Sequence, residues 1–129
     1  MKITINDHRK IFAIQEEFTN AFPYLKIEFF AKAHQSGGPA AGKFVNPGAT
    51  KISECRTIHN DGDITITENM SVKELEHRFA DVYGLAVQVF RKSGNMWLET
   101  SITSDWTLGE QNKEGENLND YFTDASEGN

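Results

Sequence analysis

Hydrophobic and polar positions alternate in short bursts along this chain, and between the bursts the period lengthens to that of a helix. The clearest run is 62–100. Ile64 and Ile66 alternate with polar neighbours, which predicts a half-buried strand. Ser71 stands three residues before Glu74, the spacing of a capping box, with Met70 and Leu75 at the staple positions. Val72, Leu75, Phe79 and Val82 or Tyr83 then share one helical face, with Lys73, Glu74, Glu76, His77, Arg78 and Asp81 opposite. Gly84 is placed to end that helix in a left-handed conformation. Leu85, Val87 and Val89 alternate, Ser93-Gly94-Asn95 turns, and Met96, Leu98 and Ile102 alternate again.

The N-terminal part repeats this grammar. Ile3 and Ile5 mark a strand, and Asp7 is a candidate N-cap. Ile11, Ile14, Phe18 and Phe22 form a helical stripe that stops before Pro23, and Leu25, Ile27 and Phe29 alternate. Ile3, Ile5, Ile14 and Phe18 match Ile64, Ile66, Leu75 and Phe79 at an offset of 61, and the second strands match at an offset of 60. The expected fold class is α+β: a two-layer sandwich with a ferredoxin-like pair of βαβ units, an extra C-terminal strand and a short helix. The alternative is a β-grasp, ββαββ, in which 52–59 pairs with 63–67 across Asn60-Asp61-Gly62.

Residues 31–50 are rich in Gly, Ala and Pro and carry no period, so they read as a long mobile loop. Thr107 and Glu110 stand at capping-box spacing, predicting a short final helix anchored by Trp106. The domain is expected to span 1–111. Residues 112–129 hold five acids and one lysine around Leu118, Tyr121 and Phe122, and read as an acidic, disordered tail.

Charge and composition narrow the function classes. A net charge of −6 and a pI of about 5.2 argue against DNA or an anionic membrane as partner. A single cysteine, Cys55, allows no internal disulfide. No apolar h-region opens the chain and no apolar run reaches the length of a span, so the expected location is cytoplasmic.

Motif by motif, chemistry is sparse. Gly37-x4-Gly42-Lys43 matches the front of a phosphate-binding loop, but Phe44 replaces the hydroxyl residue and Pro47 forbids the helix that should follow. Cys55 and His59 lie about 13 Å apart if extended, and no second ligand pair accompanies them. No cofactor or metal site is expected, and a binding module is favoured over an enzyme.

The feature that stands out is a face. With Leu25, Ile27, Phe29, Val87, Val89 and Leu98 turned to the core, the opposite sheet face carries Phe30, Phe90 and Trp97, surrounded by Lys26, Glu28, Gln88, Lys92 and Glu99. Such a face suits a protein partner or a second copy of the chain. RNA-recognition modules of ferredoxin-like fold stack bases on a face so placed. This chain lacks their basic, glycine-containing aromatic signature, and RNA is disfavoured. The competing expectation is that Phe44, Trp106 or the last helix covers the aromatics. A ligand-binding or enzymatic alternative uses 36–48 as a lid, with His34, Ser36, Gly37, Gly42 and Lys43 as loop residues and Cys55 and His59 nearby.

Overall fold

The computed structural model describes residues 1–31 and 43–127, with side chains described as far as Tyr121. Five strands and three helices follow in the order β1 (Lys2–Ile5), α1 (Ile11–Ala21), β2 (Leu25–Phe29), β3 (Gly62–Thr65), α2 (Val72–Tyr83), β4 (Val87–Ser93), β5 (Met96–Glu99) and α3 (Leu108–Glu127). The fold is α+β: two antiparallel sheets packed against three helices, a two-layer arrangement.

The strand order differs from the ferredoxin-like expectation. That order would hold β1 to β4 in one sheet, with β2 beside β3. Here β1 pairs with β3, while β2, β4 and β5 form a separate sheet in that order. The β-grasp is excluded as well, because Ile52–Cys55 is a 3-10 turn rather than a strand facing β3.

The registers explain the pairing. Ile3 sits opposite Ile64, its own match at offset 61, and Glu28 sits opposite Gln88, its match at offset 60. An antiparallel pair in which residues face their own counterparts is what a local two-fold generates.

The correspondence runs further than the periodicity showed. The Ile11 and Phe12 amides donate to the Thr50 and Pro47 carbonyls, as the Val72 and Lys73 amides donate to those of Trp106 and Ser104. Ile52 N–H reaches the Arg9 carbonyl, and Leu108 N–H reaches that of Met70. The Lys51 amide donates to Glu54 at 2.8 Å, and the Thr107 amide to Glu110 at 2.9 Å. Residues 50–55 therefore repeat 106–111, and the repeating unit is strand, helix, strand, loop, helical turn. The segment 43–45, with Val45 N–H on the Phe29 carbonyl, is the counterpart of 98–100, where Thr100 N–H meets the Val89 carbonyl.

Local chemistry fixes the helix ends. Ser71 Oγ accepts from the Glu74 amide at 3.0 Å, and Gly84 closes α2 at φ 65°. Asp7 does not cap α1. Lys10 occupies the N-cap without a side-chain bond, and loop carbonyls from 47–50 take the first amides. The final helix is 20 residues long rather than short, so 112–127, expected as a disordered tail, is helical through Glu127. Its inner stripe is Leu108, Gln111, Gly115 and the half-buried Leu118. A Cβ at Gly115 would lie 2.8 Å from Tyr24 Cβ and 3.2 Å from its carbonyl oxygen, so the close helix–sheet approach needs glycine.

One core joins both sheets and the helices. Ile3, Ile5 and Ile64 come from the first sheet, Ile66 from just beyond β3, and Leu25, Ile27, Phe29, Val87 and Val89 from the second. Phe18 and Phe79 fill the middle. Phe29 meets Phe79 edge-on, with ring centroids 5.7 Å apart.

Candidate interaction face

Alternation along β2, β4 and β5 sends Lys26, Phe90, Lys92 and Trp97 to the face opposite the core, as the registers Lys26–Phe90 and Lys92–Trp97 require. Lys26 Nζ lies 5.3 Å from the Phe90 ring centroid and 5.1 Å from that of Trp97, and Lys92 Nζ lies 5.9 Å from Trp97. Each such contact contributes roughly 0.5–1 kcal/mol where solvent reaches it. Among the described residues, neither ammonium has a carboxylate within ion-pair distance.

Phe30 belongs to this face but is 7% exposed. Phe44 covers it, with centroids 4.6 Å apart, and turns its edge to Phe90 at 5.8 Å. Phe44 itself is 41% exposed. The accessible aromatics are therefore Phe44, Phe90 and Trp97. Beside them a groove of about 450 Å³ separates the sheet from α1, lined by Phe12, Glu16, Asn20, Lys26, Glu28 and Trp97 among others.

The open edge of β2 is closed by α1 and by 43–45. Thr19 Oγ1 donates to the Leu25 carbonyl at 3.0 Å, Gln15 Nε2 to Ile27 at 2.8 Å, and Val45 N–H to Phe29 at 2.9 Å. Every outward carbonyl of that strand has a donor. Glu76 of α2 plays the corresponding part for β4, accepting from Val89 N–H at 3.4 Å. Burial pushes its carboxyl up to about 7, against a smaller opposing effect of that amide bond.

Of the loop candidates, only Lys43 falls among the described residues. His34, Ser36, Gly37 and Gly42 lie outside the described residues, and Lys43 is exposed. Cys55 is buried, its Sγ placed 3.7 Å from the Lys51 carbonyl, and burial followed by the nearby Glu54 charge pushes the thiol up to about 11. A thiol so protonated is a poor nucleophile. His59 Nδ1 lies 2.7 Å from Asp7 Oδ2, and His77 is exposed on α2. Among the described residues, no three His, Cys, Asp or Glu side chains converge as a metal site, and no helix is long and apolar enough to cross a membrane.

Sequence reasoning missed the polar knot around Arg56. This side chain is fully buried. Its Nε and Nη2 donate to Asp7 Oδ1 at 3.0 and 2.8 Å, and its Nη1 donates to the carbonyls of Asn60 at 2.7 Å and Tyr83 at 3.1 Å. Partial burial raises the Asp7 pKa, but the bonds from Arg56 and His59 outweigh it and hold the carboxyl below its ordinary value. The knot ties the loop before α1 to the C-terminus of α2, where the carbonyl dipoles favour a cation. A single arginine between loop residues gives no sequence signal for this, because two of its partners, Tyr83 and Asp7, lie 27 and 49 positions away.

Compared with protein-family models, curated proteins and solved structures, the chain has no match in any of the three.

Proposed function

We propose that this chain is a protein-interaction module that binds through the outer face of the β2–β4–β5 sheet. Phe44, Phe90 and Trp97 are the apolar anchors, and Lys26 and Lys92 read acidic groups of the partner, which is another protein or a second copy. The observation that supports this most is the pair of lysines over Trp97 and Phe90 without a carboxylate among the described residues. Aromatic anchors next to cations are the composition of binding hot spots. Phe90→Glu tests the reading. It should abolish retention of partner proteins on the immobilised chain, and any self-association across the face, while leaving the melting transition in place. Association unchanged by Phe90→Glu contradicts it.

The second reading, a small-ligand site, is favoured by the groove of about 450 Å³ beside Lys26 and Trp97. Neither Cys55, His59 nor Lys43 lines that groove, so the ligand would be bound rather than attacked by those side chains.

A further inference from the structure

β5 is the outer strand of its sheet, and its edge differs from that of β2. The β4–β5 hairpin turns through Gly94, at φ 62°, and Asn95. Ser93 faces Met96, Arg91 faces Leu98, and Thr100 N–H bonds the Val89 carbonyl at 3.3 Å. These are the hydrogen-bonded positions of the hairpin, so Trp97 and Glu99 turn their own N–H and C=O groups away from β4. Among the described residues, no donor or acceptor meets those four groups. The segment 96–99 also lacks the proline or lysine that blunts an edge.

We propose that this edge pairs with β5 of a second copy of the chain, antiparallel, with the two-fold axis at Leu98. Two sheets then join as β2-β4-β5-β5-β4-β2. Three observations select a second copy over other occupants. Centring on Leu98 lets Trp97 and Glu99 exchange backbone bonds with Glu99 and Trp97 of the second copy, satisfying all the outward groups of both edges. It sets Leu98, 38% exposed, against its own counterpart, and Met96, 64% exposed, against Thr100. It also places Glu99 of the second copy opposite Trp97, whose ring lies under two ammonium groups that have no carboxylate partner among the described residues. The pairing uses the backbone edge of β5 and touches the outer face only where Glu99 of the second copy meets Trp97 and its two lysines, and the crosslinking register reads it independently of the proposed partner-binding role.

Cysteine crosslinking on the full chain tests the register. In a non-hydrogen-bonded antiparallel pair the facing Cα atoms lie about 4.5 Å apart, within disulfide reach. Leu98→Cys should give a covalent dimer under mild oxidation. Met96→Cys should not, since its counterpart lies four residues along, about 13 Å away. Ile102→Cys, fully exposed, should not either. Buried Cys55 is a constant background in all three. Glu99→Pro removes an outward N–H without removing a β4–β5 bond, and should weaken the dimer at least about tenfold. Light scattering on the unmodified chain should rise from 14.5 kDa towards twice that mass with concentration. A single-chain mass at every concentration overturns the proposal, including the case of a monomer that takes an extended peptide on β5. So does crosslinking at positions 96 and 102 equal to that at 98.

Discussion

The two halves of this chain, 2–56 and 63–112, are built alike and finished differently. In the first half, polar groups end on partners within the molecule. Arg56 spends its donors on Asp7, Asn60 and Tyr83, and the outward carbonyls of β2 receive Thr19, Gln15 and Val45. In the second half, the counterpart of 43–45 grows into a hairpin strand, and the outward groups of Trp97 and Glu99 meet nothing among the described residues. Lys26 and Lys92, both directed to that strand's Trp97, have rings but no acid among the described residues. The same supersecondary unit can thus be closed with side-chain caps or left open as a surface. The difference lies in a few residues rather than in the core.

The comparison is sharpest at Arg56 and its structural counterpart Asn112. Arg56→Met should cost about 3 kcal/mol in urea unfolding, because it strands buried carbonyls and breaks a buried pair. Among the described residues the Asn112 side chain makes one bond, accepting from Tyr24 N–H at 2.9 Å, and Asn112→Ala should cost about 1 kcal/mol. Equal losses would break the claim that the two closures differ in weight. Gln15→Ala leaves the Ile27 carbonyl bare on the closed edge and should also cost about 1 kcal/mol.

Glu76 offers a pH test of the second half. Its folded pKa of about 7 lies above the ordinary value of 4.5, so between those values the folded state binds more protons than the unfolded one. Its contribution is fully present below pH 4.5 and is lost as pH rises through 7. Glu76→Gln should flatten that part of the stability profile, and an unchanged slope would remove the assignment. The smallest effect is expected at the open surface. Lys26→Gln and Lys92→Gln should each cost no more than the exposed ring contacts they remove, about 0.5–1 kcal/mol, while lowering retention of partners. A larger loss of stability would mark the lysines as part of the fold.

What the sequence made legible follows from range. The α2 helix was readable from Ser71, Glu74 and Gly84 because its start and stop signals are local. The outer face was readable because strand alternation fixes where Lys26, Phe90, Lys92 and Trp97 point. Asp7 misled because its carboxylate goes to Arg56, 49 residues away, instead of to the helix beside it. The length of α3 was hidden because Gln111 and Gly115, which do its packing, do not look like core letters. The sheet order was hidden for a related reason. A repeat of two identical patterns says which strands are equivalent, but the pairing of each with its own counterpart is set only when the halves meet.

Amide hydrogen exchange at Trp97 and Glu99, followed by NMR at low and high protein concentration, tests the open-edge account most directly. Both amides should exchange fast when the chain is dilute and slow markedly when it is concentrated. Leu98, already bonded to β4, should change little. Exchange at Trp97 and Glu99 that is equally fast at all concentrations, or already slow in the dilute monomer, would contradict it.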